Sequence, residues 1–164
     1  MTSERYHVRV TKDYLIFSCG HFITYEGDEC ERLHGHNYRV AVEVEGPLDV
    51  NHYVFDFIAL KKRTQEIVAE LDHHMLLPTR NKLISVEEGG KNVRVRFKDK
   101  EWSFPREDCI LLPIENTTAE LLAKWIAHRL RNSLQQQHNF VPQTIRVEVE
   151  ENIGQWAVCQ VTES

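Results

Sequence analysis

Strict alternation of apolar and polar positions marks the extended segments of the chain. In one of them Val40, Val42 and Val44 share a face, while charged side chains occupy the other face. A period of two is typical of strands that bury one face. Four segments alternate in this way, at residues 4–22, 34–45, 144–151 and 155–161. They predict one antiparallel sheet, in which the first segment is a strand or a hairpin.

Helical periodicity marks two further segments. Asp56 is predicted to cap a helix that ends near Asp72, and Thr117 or Thr118 to cap a second helix that ends at the polar linker Gln135–Asn139. Each helix carries one apolar stripe that suits packing on a sheet. The stripes are Phe57, Leu60, Thr64, Ile67, Val68 and Leu71, and then Leu121, Leu122, Trp125, Ile126, Leu130 and Leu134.

An insertion at about residues 80–113 separates the two helices. Gly89-Gly90 breaks the chain, and the charged turn Lys98-Asp-Lys100 divides two short alternating segments. This pattern predicts an inserted hairpin. The full order of elements predicts an α+β fold, with a four-stranded antiparallel sheet covered on one face by two helices.

Length and composition favour a single domain over residues 1–164, since one domain takes roughly 150 residues. A net charge of -5 without a long basic run argues against nucleic-acid binding. No apolar stretch approaches the roughly 20 residues that span a bilayer, and no secretory signal is visible. We therefore expect no nucleic-acid or membrane partner and a cytoplasmic protein with reduced cysteines.

Three histidines form the first candidate site. His34-Gly-His36 places two imidazoles on one side of a strand, with Cα atoms about 6 to 7 Å apart. His21 continues the inward face of the preceding strand and could supply a third nitrogen. Three histidines with an open fourth position are typical of catalytic zinc. The alternative is that these side chains only form hydrogen bonds in the core or face solvent.

Other residues near these histidines allow several interpretations. Cys30 could be a fourth zinc ligand, a buried inert thiol, or a nucleophile or base. Asp72 next to His73 resembles a carboxylate that orients an imidazole, although a histidine at a helix C-terminus also interacts well with the helix dipole. Glu151 continues the inward row of its strand and could bind ligand N–H groups, or it could turn to solvent where the strand ends.

Together these segments resemble the 6-pyruvoyltetrahydropterin synthase / 6-carboxytetrahydropterin synthase family. The motifs occur in family order across nearly the whole chain. They are Phe17-Ser-Cys-Gly-His21-Phe, Cys30-Glu-Arg-Leu-His34-Gly-His36-Asn-Tyr38, Asp56-Phe57, Leu71-Asp72-His73, Thr118-Ala-Glu120 and Val147-Glu-Val-Glu-Glu151. The resemblance implies the tunnelling fold (T-fold), in which subunits join their sheets into an oligomeric barrel, commonly a homo-hexamer built as a dimer of trimers.

The resemblance also implies roles for individual residues. His21, His34 and His36 would bind Zn²⁺, and Cys30 would be the base, with Asp72 and His73 as a proton relay. Glu151 would anchor the pterin ring. Thr117, Thr118 and Glu120 match a segment that holds the pterin from a neighbouring subunit, so that sites would lie between subunits.

The implied activity is that of a zinc-dependent lyase acting on 7,8-dihydroneopterin triphosphate. The short spacing from Cys30 to His34 resembles that of the 6-carboxytetrahydropterin synthases, which implies formation of 6-carboxy-5,6,7,8-tetrahydropterin on the route to queuosine. The alternatives are a 6-pyruvoyltetrahydropterin synthase of the biopterin route and a noncatalytic pterin-binding protein. The long insertion, Thr117 in place of a frequent proline, and Asn152 in place of the usual threonine depart from the family pattern.

Overall fold

The computed structural model describes residues 4–163. In this part of the chain four strands precede the first helix, five short strands lie between the two helices, and two strands follow the second helix. The elements are β1 (Tyr6–His21), β2 (Thr24–Tyr25), β3 (Glu29–Cys30), β4 (His34–Gly46), α1 (Phe57–Leu71), β5 (His74–Pro78), β6 (Ser85–Gly89), β7 (Asn92–Phe97), β8 (Lys100–Pro105), β9 (Cys109–Leu112), α2 (Ala119–His138), β10 (Thr144–Asn152) and β11 (Gln155–Thr162).

The main sheet has the strand order β11-β10-β4-β1-β5-β9. The four predicted strands are present and pair antiparallel, but β5 and β9 extend the sheet in parallel with β1. The prediction of a four-stranded, purely antiparallel sheet is therefore wrong. Four of the five residues of β5 are buried, and a strand covered on both faces shows no alternation that would reveal it.

The insertion forms a three-stranded antiparallel sheet, β6-β7-β8, instead of the predicted hairpin. In β7 the side chains of Val93, Val95 and Phe97 are buried, as their alternation indicates. The extra strand β6 is almost entirely exposed. It joins the sheet through backbone pairing, which leaves no apolar signature in the sequence.

A bulge in β1 decides which face of the sheet receives His21. The buried positions are even-numbered at Val10 and odd-numbered from Leu15 onward. The register with β4 shifts between Thr11 and Ile16, and an irregularity of this kind reverses the side-chain parity along a strand. As a result both halves of β1 face the helices, and His21 points to the same side as the core.

Both helices begin as predicted at a capping side chain. Asp56 accepts a hydrogen bond from the backbone N–H of Ile58 at 2.8 Å, and Thr118 accepts one from the N–H of Leu121 at 3.4 Å. The predicted end of α1 is also confirmed, since its C-cap is Asp72. By contrast, α2 continues through the polar run that was predicted as a linker and ends at His138, with Asn139 (φ 50°) as its C-cap.

The core lies between the helices and the four antiparallel strands. Buried residues of both helical stripes pack against the inward rows of β1, β4 and β10, although Phe57 of the predicted α1 stripe is 56% exposed. Tyr38 and Phe17 stack in the sheet with ring centroids 4.9 Å apart.

Neither helix among residues 4–163 is long and apolar enough to cross a membrane.

We expect Leu130→Ala to lower the free energy of unfolding by about 2 to 5 kcal/mol, because it opens a cavity in a well-packed core. Leu130 lies on α2 and has no exposed surface. Chemical denaturation measures the change. The exposed Gln135→Ala on the same helix is the control and should change stability by less than about 0.5 kcal/mol. Equal effects of the two substitutions would contradict this placement of the core.

Candidate active site

The structure brings the three predicted histidines together at one end of the main sheet. His21 is the last residue of β1 and pairs directly with His34, the first residue of β4. His36 follows two positions later on the same face. One ring nitrogen from each histidine lies within 4.8 Å of the others, a spacing from which three imidazoles can bind one metal ion.

Backbone carbonyls orient two of these rings. His21 Nδ1 lies 2.9 Å from the carbonyl oxygen of Thr117, and His34 Nδ1 lies 2.7 Å from that of Arg32. A carbonyl oxygen only accepts, so Nδ1 carries a proton, and in the neutral ring the lone pair lies on Nε2. This arrangement is typical of metal-binding histidines. Burial also lowers the pKa of His21, which keeps the ring in the neutral form that a metal requires.

Gly35 allows the two strands to approach closely between the histidines. A Cβ atom at this position would lie 2.9 Å from the carbonyl oxygen of Cys19 on β1, which is too close for a real contact. The facing residue on β1 is also a glycine, Gly20. Glycine between His34 and His36 therefore permits the pairing that sets their distance from His21.

A cavity of about 520 Å³ adjoins this group. Its lining includes Cys19, His34, His36 and His73. The thiol of Cys19 is buried, and burial raises its pKa to about 12, so it is a neutral part of the cavity wall. Two of the candidate metal ligands and one residue of the candidate relay thus face a shared space large enough for a small molecule.

Asp72 and His73 form the contact that the sequence predicts. The Asp72 carboxylate lies 2.8 Å from His73 Nδ1 and accepts a hydrogen bond from the backbone N–H of Ser18 at 2.7 Å. The Ser18 hydrogen bond and the His73 side chain lower the pKa of Asp72. His73 has a φ of 59°, a strained backbone conformation that is often found at functional sites, and its side chain is 82% exposed.

Cys30 lies apart from the histidine group. Its side chain is buried in a cluster with Phe22, Val93 and Val95, and its thiol donates a hydrogen bond to the carbonyl oxygen of Glu31 at 3.4 Å. The three-histidine group does not include it, so Cys30 as a fourth metal ligand does not fit this arrangement. Burial raises the pKa of the thiol, and the positive charge of Lys100 acts in the opposite direction.

The Glu151 side chain faces the histidines and is 34% exposed. One carboxylate oxygen lies 3.9 Å from His36 Nε2, and the other accepts a hydrogen bond from the Tyr38 hydroxyl at 3.4 Å. Glu151 also lines a second cavity, of about 410 Å³, together with Thr118 and Glu120. One chain therefore brings these three predicted substrate-binding residues together.

Thr117 occupies a different position from its predicted partners. It is fully buried. Its carbonyl contacts His21, and its hydroxyl donates a hydrogen bond to the carbonyl oxygen of Phe22 at 3.2 Å. Both contacts support the candidate metal ligand His21, and neither leads into a cavity.

Two further residues at the site were not identified from the sequence. The Tyr38 hydroxyl lies 3.1 Å from His21 Nε2, and a Glu31 carboxylate oxygen lies 3.9 Å from His34 Nε2. Tyr38 continues the inward face of His34 and His36, so the alternation of β4 could have revealed it. Glu31 follows Cys30 in a loop, where no periodicity indicates a direction.

Comparisons with known proteins agree with this fold. The family model described as 6-pyruvoyl tetrahydropterin synthase matches residues 9–162. A Methanocaldococcus jannaschii protein, provisionally named a 6-carboxy-5,6,7,8-tetrahydropterin synthase, is 38% identical over 87% of this chain and 88% of its own. The Plasmodium vivax 6-pyruvoyl tetrahydropterin synthase structure has a TM-score of 0.90 and 29% identity, over 98% of this chain and 100% of its own.

The fold and the histidine group thus define an α+β protein of the T-fold class with a candidate metal centre. The chain belongs to the 6-pyruvoyl tetrahydropterin synthase family.

A third relative, from Pyrococcus furiosus, is named a dihydroneopterin monophosphate aldolase. It is 31% identical over 72% of this chain and 71% of its own. Variant structures of the Plasmodium vivax protein carry a substitution at a glutamate that is described as a catalytic residue. Members of this family thus differ in the reaction for which they are named.

We expect His36→Ala to reduce bound zinc from about one ion per chain to less than a tenth, because one of three ligands is lost. Elemental analysis after dialysis against zinc measures this. His128→Ala, which changes an exposed histidine on α2, is the control and should keep full occupancy. Full zinc content in the His36 variant would contradict the assignment of this site.

We expect the stability lost in Asp72→Ala to depend on pH. The pKa of Asp72 is lowered in the folded protein, so its carboxylate stabilises the fold fully above the unfolded value of about 3.9. That contribution disappears as the pH falls through the native pKa. Denaturation of both proteins from pH 7 to pH 2 should show a difference that shrinks on acidification. Glu87→Ala, an exposed carboxylate on β6, controls for the general loss of charge.

Proposed function

We propose that this protein is a zinc-dependent lyase that converts 7,8-dihydroneopterin triphosphate to 6-carboxy-5,6,7,8-tetrahydropterin, on the route to queuosine. The observation that carries the proposal is the convergence of three histidine nitrogens within 4.8 Å, beside a cavity that also contains His73. The name of the Methanocaldococcus jannaschii relative favours the 6-carboxy product.

His21, His34 and His36 would hold the zinc ion, which supplies Lewis acidity toward the hydroxyl groups of the substrate side chain. The Nδ1 protons of His21 and His34 are held by carbonyl oxygens. Both rings therefore keep a fixed orientation when a substrate enters. The fourth position stays available because Cys30 lies outside the ligand group.

Glu151 binds the pterin ring in this proposal. A carboxylate can accept two hydrogen bonds from adjacent N–H groups, and such charge-assisted bonds are strong. Tyr38 holds one oxygen of Glu151 at 3.4 Å, which orients the carboxylate. Thr118 and Glu120 line the same cavity as Glu151 and would contact the ring there.

Cys30, Asp72 and His73 move protons in this proposal. Asp72 fixes the His73 ring through its contact with Nδ1, which leaves Nε2 to exchange a proton with the substrate. Cys30 acts as the base once its thiol is deprotonated. His73 is largely exposed in one chain, and a homo-hexamer with sites between subunits would enclose it and exclude water from the reaction.

A second candidate function is an aldolase that cleaves the side chain of a dihydroneopterin phosphate, with Glu31 as the base. Two observations favour it. Glu31 lies 3.9 Å from His34 Nε2, whereas Cys30 packs into an apolar cluster. In such a cleavage the base removes a hydroxyl proton from the substrate side chain, and the neighbouring carbon–carbon bond breaks. The electron pair of that bond enters the pterin ring, and the carbon that remains attached to the ring is then protonated.

The first experiment incubates the zinc-loaded protein with 7,8-dihydroneopterin triphosphate and identifies the products by mass spectrometry. We expect 6-carboxytetrahydropterin, acetaldehyde and triphosphate. We expect Cys30→Ala to lower kcat by about 10²-fold or more, because it removes the base, while zinc content stays the same. Cys159→Ala, which removes a half-buried thiol on β11, is the control and should retain activity.

Other products identify the alternatives. A 6-pyruvoyl product with triphosphate would place the protein on the biopterin route. A 6-hydroxymethyl product that is lost in Glu31→Gln and kept in Cys30→Ala would establish the aldolase. Unchanged substrate, with zinc and pterin both bound, would contradict both enzymatic functions and favour a noncatalytic pterin-binding protein.

A further inference from the structure

A short hairpin formed by β2 and β3 links the candidate metal ligands His21 and His34. Its second strand carries Cys30, and Glu31 follows directly. The pairing comprises two residue pairs. Two further hydrogen bonds join Glu31 and Ile23: the N–H of Glu31 donates to the carbonyl oxygen of Ile23, and the N–H of Ile23 donates to the Glu31 carboxylate at 3.3 Å. An isolated hairpin of this size is marginal in water, so its position depends on other parts of the chain.

The first strand of this hairpin is fixed by the segment that precedes α2. The side chain of Asn116 exchanges two hydrogen bonds with the backbone of Thr24, at 2.8 and 3.2 Å. Asn116 thus anchors the first strand, and the second strand, with Cys30, is paired to it.

The inserted sheet contacts the second strand through two lysines. Lys98, in the turn after β7, forms an ion pair with Asp28 at 3.0 Å. Lys100, the first residue of β8, donates a hydrogen bond to the carbonyl oxygen of Cys30 at 3.3 Å. Lys98 and Lys100 are two residues apart, and so are their partners Asp28 and Cys30. The two contacts link the turn of the insertion to the chain just before Glu31.

Apolar contacts hold the same two elements together. Trp102 of β8 stacks on Phe22, the residue after His21, with ring centroids 4.6 Å apart and planes inclined by 22°. The side chain of Cys30 is buried in the same cluster as Val93 and Val95 of β7. Both ends of the hairpin are therefore packed against the insertion.

We propose that the inserted sheet positions the hairpin that carries Cys30 and Glu31 relative to the candidate metal ligands, with Lys98 and Lys100 as the positioning residues. This inference rests on the proposed function for its catalytic meaning, since Cys30 is the base in the synthase reaction and Glu31 is the base in the aldolase reaction. Both lysines lie over the ring of Phe97 in their own sheet, and their contacts with the hairpin are the Asp28 side chain and the Cys30 carbonyl oxygen, so they act through the hairpin.

Hydrogen exchange of the metal-free full-length protein tests the positioning directly, without any need for turnover. In the Lys98→Met, Lys100→Met double variant we expect the amides of residues 28–31 to exchange about fivefold faster, in line with the modest strength of such contacts. Amides around Thr24 should keep their protection because Asn116 still holds them. Lys100→Arg, which preserves a donor and the charge, should exchange like the wild type.

Lys91→Met is the matched control, since Lys91 is an exposed lysine in the turn between β6 and β7. In the zinc-loaded protein we expect the double variant to lose about tenfold in kcat through misplacement of the base. Its KM and zinc content should stay unchanged. The separate variant Lys100→Arg should keep the wild-type kcat. Wild-type exchange at residues 28–31 in the double variant would overturn the proposal. A general rise in exchange across the chain would also overturn it, because it would assign both lysines to overall stability.

If the wild type forms no product, the proposed function fails, while the exchange rates still decide whether the insertion positions the hairpin.

Discussion

The close pairing of β1 with β4 at Gly20 and Gly35 is the constraint on which the candidate site depends. A side chain at Gly35 would meet the Cys19 carbonyl oxygen at 2.9 Å, so only glycine permits this approach. The approach puts His21 directly opposite His34 and brings His36 into reach of the same point. The bulge in β1 reverses the side-chain parity of that strand, so His21 faces the helix-covered side together with His34 and His36 of β4. The chain before α2 can reach the rings on that side.

Backbone groups from distant segments then set the chemistry of these side chains. Thr117 precedes α2, yet its carbonyl fixes the protonation of His21. Asp72 ends α1, yet it is held by the backbone of Ser18 in β1. Hydrogen bonds to backbone atoms have a defined geometry and remain in place without a ligand. A site built on them is preorganised, which is the property that metal binding and proton transfer require.

The insertion contributes to the same region from outside the sheet. It buries Cys30 in an apolar cluster and places the charge of Lys100 beside the Cys30 backbone. Burial raises the pKa of the Cys30 thiol, and the positive charge of Lys100 lowers it. Cys30 is buried among apolar side chains, while Glu31 lies near His34. The choice of base between these two neighbours is therefore the feature that distinguishes the candidate reactions.

The sequence by itself determined the features that depend on local periodicity and capping. Alternation in β4 placed His34 and His36 with the core, and the caps Asp56 and Thr118 marked where the helices begin. The parallel strands β5 and β9, the exposed strand β6 and the contacts of Glu31 depended on the tertiary structure. A strand buried on both faces or exposed on both has no period to detect, and a loop residue acquires its neighbours only when distant segments pack against it.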